Sequence, residues 1–260
     1  NEAYGSYFTG RVPARTTVQA AALPAGAGVE IGCVGFADLS GISVVKPPAG
    51  SLPAPLGPYS AAVWAGDRLY VSGMGGQDPA TRAVGESVES QVTQTVANIT
   101  TTLKAAGLSA GDVVWTQAYA TRSGEAAALA ATLGKSVDAP RGLVVVPRLP
   151  GPIRVELTFV AAKPAARQGV TWVDATTAAG SDVGAQAREA FRAIGARLAQ
   201  RRMTLRDAVS VTVYLSDLAD MAAMNAVFTE VFPVDPPARV TIEVQPQGQE
   251  RIRVGLIAAR

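Results

Sequence analysis

Hydrophobic positions follow two rhythms along this chain, and the order of those rhythms is itself repeated. From Val88 the apolar residues Val92, Val96, Ile99 and Leu103 come in steps of four, four, three and four, one face of a helix that Gly107 stops. Val183, Ala187, Phe191, Ile194 and Leu198 draw a second stripe of the same kind. Residues 125–133 predict a short alanine-rich helix, and 217–232 another with Met221, Met224 and Phe228 inward as core filling. Runs of β-branched and apolar residues predict strands at 15–22, 29–36, 69–72, 113–120, 141–146, 153–160, 170–175 and 209–215. The first two are expected to pair antiparallel through the turn at 23–28. Residues 57–63 are expected to enter a hairpin that bends at Ala65, Gly66 and Asp67. Residues 1–9 suit a last helical turn ended by Gly10, and the prolines of 48–56 mark a linker. Two strands, helix, strand, helix and two strands imply helices on one side of a mixed or antiparallel sheet.

The repetition extends to motifs. Pro13-Ala14-Arg15-Thr16-Thr17-Val18 recurs as Pro237-Ala238-Arg239-Val240-Thr241-Ile242, and in degraded form as Ala139-Pro140-Arg141-Gly142-Leu143-Val144. Asn1-Glu2-Ala3-Tyr4 precedes Arg15 by the interval at which Asn225-Ala226-Val227-Phe228 precedes Arg239. The three arginines are 126 and 98 residues apart, which points to one unit present twice nearly whole, after the tail of a third copy. The expected division is 1–40 as the C-terminal part of a first unit, 41–56 as linker, 57–163 as a second unit, and 164–260 as a third lacking its first hairpin strand. A tail of that size cannot close a sheet. Its missing front half is therefore expected from a second polypeptide or a segment cleaved from a precursor.

Composition narrows the chemistry. An apolar content of 48% with 17% charged residues describes a chain that packs a core. Net charge is only +2 and Arg201-Arg202 is the one adjacent basic pair, so no nucleic-acid face is expected. The lack of an 18-residue apolar run gives an expectation of no membrane span and a cytoplasmic location. A single cysteine leaves no intrachain disulfide, and Cys33 is expected to be a small buried hydrophobe. There is no histidine at all, which removes His-based triads and the usual base near neutral pH. No metal or cofactor is expected. Chemistry must then rest on arginine, carboxylates, hydroxyls, backbone groups or water.

Gly57-Pro58-Tyr59-Ser60, Val71-Ser72-Gly73, Tyr214-Leu215-Ser216-Asp217, Asn225 and Pro237-Ala238-Arg239-Val240-Thr241 together resemble the RidA (YjgF) family of small trimeric proteins. The resemblance implies an α+β fold of repeated chorismate-mutase-like units in a pseudo-threefold assembly, with sites between neighbouring units. It implies hydrolysis of small 2-imino or enamino acids to 2-keto acids and ammonia. By resemblance the family arginine falls at Arg15, Arg141 and Arg239, and the acid fifteen residues beyond at Glu30 and Glu156; in the third unit that place falls to Gly255. Tyr59 corresponds to the pocket tyrosine, Ser72 and Gly73 to its polar contacts, and Asn1 and Asn225 to its asparagine. On spacing, Arg15 and Arg141 are expected to rank ahead of Arg239.

Each residue also has a plainer reading. An arginine presents a planar fork that suits a ligand carboxylate and equally a structural ion pair. Glu30 and Glu156 lie among apolar neighbours, where a carboxylate can hold a water or neutralise an arginine. Tyr59 can meet substrate or serve as a hairpin core aromatic. Three functions stay open: a deaminase of this type, another enzyme of small carboxylated metabolites, and a binding protein with decayed pockets.

Overall fold

The computed structural model describes every residue except Pro140, Gln168, Ala178 and Ala179, and gives no side-chain account of Arg141 or residues 174–177. In chain order the elements are α1 (Glu2–Tyr7), β1 (Ile42–Val45), β2 (Ala62–Ala65), β3 (Arg68–Val71), β4 (Met74–Gly75), α2 (Val88–Ala105), β5 (Val113–Ala120), α3 (Ser123–Gly134), β6 (Arg141–Val145), β7 (Val155–Ala162), β8 (Val170–Thr177), α4 (Val183–Ala199), β9 (Ala208–Leu215), α5 (Met221–Val231), β10 (Ala238–Glu243) and β11 (Ile252–Ala259). They fall into two compact units. The first comprises Asn1–Gln19, Val34–Ala139 and Arg148–Arg167; the second comprises Ala20–Cys33, Pro140–Pro147 and Gln168–Arg260.

In the first unit an antiparallel sheet runs β1-β2-β3-β7-β5, and β4 also pairs with β7. Gly66, at φ +61, makes the bend between Ala65 and Arg68 possible. One face of β7 and β5 carries Leu157, Phe159 and Ala118, all buried, and the stripe of Val92, Ile99 and Leu103 on α2 is buried with them. Ser87 caps α2 by accepting from Ser90 N–H. The opposite face of the same strands carries Glu156.

The second unit has a sheet in the order β10-β9-β11-β8, with β10 parallel to β9 and joined to it through α5. Phe191, Ile194 and Leu198 of α4, Met224 and Phe228 of α5, and Val211, Val213, Val254 and Leu256 of the sheet form its core.

The two units repeat small details as well as large ones. Gln91 donates to the Gly85 carbonyl and accepts from Arg154 N–H; Gln186 donates to Gly180 and accepts from Arg251 N–H. Both glutamines are buried, so each polar end needs these partners. Ser109 with Asp112, and Thr204 with Asp207, build the same capping box. Before each box one residue is left-handed, Gly107 at φ +75 and Arg202 at φ +59. Only the glycine adopts that conformation without strain.

Several expectations are corrected. Residues 15–22 and 29–36 are extended but form no strand, and they do not pair with each other. Gln19 N–H instead bonds to the Arg148 carbonyl, and Ala21 and Ala22 exchange backbone bonds with Glu243. Val29 and Ile31 are each 75% exposed and Val34 is 59% exposed, because no sheet or helix covers them. Cys33 is exposed rather than buried. Ile42–Val45, within the stretch read as linker, is a strand paired with Ala62–Ala65, since its β-branched residues find an open edge there. Among the described residues no helix is long and apolar enough to cross a membrane.

Candidate functional site

The first unit gathers Arg15, Tyr59, Ser72, Gly73 and Glu156, although Arg15 lies 141 residues before Glu156 in sequence. Strand β3 ends at Val71, and Ser72 follows as a buried hydroxyl. Ser72 Oγ donates to the Ser60 carbonyl at 2.6 Å and accepts from Arg15 N–H at 2.9 Å. Gly73 N–H donates to the Arg15 carbonyl at 3.1 Å. These bonds lay the Arg15 backbone along the end of the hairpin. Ser60 anchors the same segment, its N–H donating to Pro13 and its hydroxyl to Val12.

The Arg15 side chain is held by neutral groups. Its Nη2 donates to Asn1 Oδ1 at 2.9 Å, and Cζ lies 4.8 Å from the Tyr4 ring centroid and 5.0 Å from that of Tyr59. Asn1 in turn donates to the Leu56 carbonyl, and the Tyr59 hydroxyl accepts from Leu56 N–H at 3.2 Å. Both the asparagine and the tyrosine are therefore fixed by the loop that precedes the hairpin.

Glu156 is the second residue of β7, opposite Gly75 and Tyr119, and is only 4% exposed. Burial pushes its carboxyl up to about 8, against the Thr17 N–H bond and the Arg15 charge that both act to lower it. Gly73 makes room for this group: a Cβ there would collide with Glu156 Oε1. A buried acid raised toward neutrality within electrostatic reach of a guanidinium has the chemistry to exchange a proton with water.

The second unit holds a related but thinner cluster. Arg239 Cζ lies 4.6 Å from the Phe228 ring centroid, and its Nη1 reaches Met224 Sδ at 3.9 Å. Glu30 accepts from Thr241 N–H at 3.3 Å and lies within electrostatic reach of Arg239. Burial lowers the Arg239 pKa, with Glu30 acting in the opposite direction. Asn225 Oδ1 and Thr241 Oγ1 are buried without a hydrogen-bond partner among the described residues. Glu30 itself is exposed.

Arg15 thus acts electrostatically on Glu156, and Glu30 on Arg239; the acid fifteen residues beyond Arg15 is not the one within its reach. The fifteen-residue interval from Arg15 to Glu30 is a spacing in sequence and not the proximity seen here, and the Arg141–Glu156 interval falls on a side chain outside the described residues. Arg141 begins β6, and its side chain lies outside the described residues. Gly255 lies opposite Thr212 within β11, so no carboxylate stands at that register position. Tyr4 is the residue that sequence reasoning left unassigned; its equivalence to Phe228, each three residues after an asparagine, carried the signal. Among the described residues no group of three His, Cys, Asp or Glu could hold a metal ion.

The family model for Endoribonuclease L-PSP matches residues 50–163 and again 169–254. The chain belongs to the RidA/YjgF family. The double match agrees with the two sheet-and-helix units and with the repeated motifs. A RutC family protein of Saccharolobus solfataricus is 36% identical over 115 residues, spanning 43% of this chain and 91% of that protein. The 2-iminobutanoate/2-iminopropanoate deaminase of Salmonella typhimurium is 32% identical over 117 residues, again 43% of this chain and 91% of the relative. Among solved structures, RidA from an Antarctic Psychrobacter is 31% identical, with a TM-score of 0.43 over 45% of this chain and 98% of that one.

Proposed function

We propose that this RidA-family chain is a deaminase-type hydrolase acting on small 2-imino or enamino carboxylic acids, with Arg15 and Glu156 at its working site. The single observation that carries the proposal is the buried Glu156 carboxyl, raised to about 8, beside an arginine held by uncharged partners. Similarity to a named 2-imino acid deaminase supports the reaction class.

In this reading the substrate carboxylate takes the in-plane edge of the Arg15 guanidinium through two charge-assisted hydrogen bonds. Tyr59 packs beside it. The ionised fraction of Glu156 accepts a proton from water as the water oxygen attacks the iminium carbon, giving a carbinolamine. Glu156 returns that proton to nitrogen and, as the C–N bond breaks, its carboxylate takes up the hydroxyl proton, so that ammonia and a 2-keto acid leave. Iminium, water and base need only be held within about 3–3.5 Å of one another, so histidine is dispensable. Ser72 and Gly73 position Arg15 and shape the floor.

Arg239, Asn225 and Glu30 form a weaker binding position in this proposal, and Arg141 a third. The chorismate-mutase-like, pseudo-threefold assembly is part of the same proposal. So is a second polypeptide over the exposed Val29 and Ile31; native mass spectrometry of the purified particle tests both. The deciding experiment is ammonia release from freshly generated 2-iminopropionate by the parent chain and by Arg15→Ala. Turnover in the parent and its loss in the variant support the reaction. An inactive parent that still binds pyruvate would move the function to another small carboxylated metabolite, the second reading.

A further inference from the structure

We infer that Tyr4 is a positioning residue for the carboxylate receptor, acting through the π-face it sets against Arg15; this rests on the reading of Arg15 as that receptor. A buried or half-buried arginine is ordinarily held by a carboxylate, which fixes the side chain but spends much of its charge. Arg15 is half-buried, and what holds it is different in kind: an amide oxygen and two tyrosine rings. A ring attracts a cation through its quadrupole and leaves the net charge in place. The nearby acid, Glu156, is itself pushed toward its neutral form by burial. Arg15 is therefore oriented without being neutralised, which is what an anion receptor requires.

Tyr4 and Tyr59 contribute differently. Tyr59 is tied down by the bond from Leu56 N–H to its hydroxyl. Tyr4 stands in the short helix α1, three residues after the Asn1 that accepts from Arg15, so one turn of helix supplies both the amide and a ring. The ring of Tyr4 also stacks on Phe8 at 4.7 Å between centroids, which fixes its orientation. In the second unit the matching ring carries no hydroxyl. There Phe228 takes the place of Tyr4, and Arg239 lies over it at 4.6 Å.

The inference separates aromatic character from bulk, and three variants measure it. Tyr4→Phe keeps the quadrupole, Tyr4→Leu keeps an apolar side chain without it, and Arg15→Ala removes the receptor. Each is compared with the parent chain for pyruvate affinity by calorimetry, for KM and kcat in ammonia release from 2-iminopropionate, and for thermal midpoint. Tyr4→Phe is expected to match the parent within about twofold. Tyr4→Leu is expected to weaken pyruvate binding and raise KM roughly tenfold, with kcat changed less than about threefold and the midpoint close to that of Tyr4→Phe. Equal affinities for Tyr4→Leu and Tyr4→Phe, with Arg15→Ala unable to bind, would overturn the role of Tyr4 and leave Arg15 as receptor. Unchanged binding in Arg15→Ala would overturn the receptor reading, and this inference with it.

Discussion

Arg15 and Arg239 are set into the same local frame, each following a helix that offers an asparagine and an aromatic ring. Around Arg15 the hairpin brings Tyr59, Ser72 and Gly73, and the paired acid is buried. Around Arg239 the structure supplies one ring, a thioether and an exposed acid. The difference teaches that the arginine-and-acid motif is not itself the chemistry. What raises Glu156 is burial, at a point of β7 flanked in the sheet by β4 and β5.

The comparison breaks first at the receptor. Arg15→Ala should lower kcat/KM for ammonia release by about 30- to several-thousand-fold, the usual cost of removing a buried charged partner. Arg239→Ala should leave it within about threefold. Equal losses in both variants would mean that the two clusters work alike.

Next comes the acid. Glu156→Gln should lower turnover about 100- to 10,000-fold while pyruvate still binds. In the parent, kcat/KM should rise with pH through about 8 as Glu156 loses its proton, and the variant should lack that rise. Stability should move the other way. Between about 4.5 and 8 the folded chain keeps a proton that the unfolded chain has lost, so the fold is favoured at the acid end and weakens as pH rises. Denaturant midpoints across that window should fall in the parent and flatten in Glu156→Gln. A midpoint independent of pH in the parent would place the carboxyl in water instead.

Gly73→Ala gives a smaller, sharper test. The added methyl would press on Glu156 Oε1 and push the acid away from its place beside Arg15. Turnover should drop by about tenfold or more with the fold retained, whereas Gly255→Ala, with no atom near its Cβ position, should leave turnover unaffected.

The smallest effect distinguishes two stretches matched in sequence, of which only one forms a strand. Leu157 is fully buried in β7, and Leu157→Ala should cost about 2–5 kcal/mol. Ile31 holds the matching place after Glu30 and is 75% exposed. Ile31→Lys should change the stability of the chain alone by no more than about 0.5 kcal/mol.

Much of this fold was legible from periodicity. Strand β5 occupies the residues read from its pattern, and the stripes of α2 and α4 coincide with buried positions, because local period and tertiary face agree there. The same reasoning misplaced 15–22 and 29–36. Their composition suits strands, but a strand exists only where another edge bonds to it, and composition cannot supply the edge. Cys33 followed the same error, since its burial depended on that sheet. The site residues were visible as types, by their recurrence; their partnership was not. An interval of fifteen residues records ancestry within a repeat, while contact is decided by which strand lies alongside.

The allocation of the first forty residues has a consequence for how the chain can be divided. Asn1–Gln19 packs with the first unit and Ala20–Cys33 with the second, so the first forty residues do not belong to one folded body. The bounds matched by the family model and the bounds of the folded units are therefore out of phase. A fragment spanning the matched residues 50–163 would contain Tyr59, Ser72, Gly73 and Glu156, yet nothing of the Arg15 segment that folds with them. Excision at the bounds of the family match would separate Arg15 from Glu156, and only a break offset from those bounds would keep the two together.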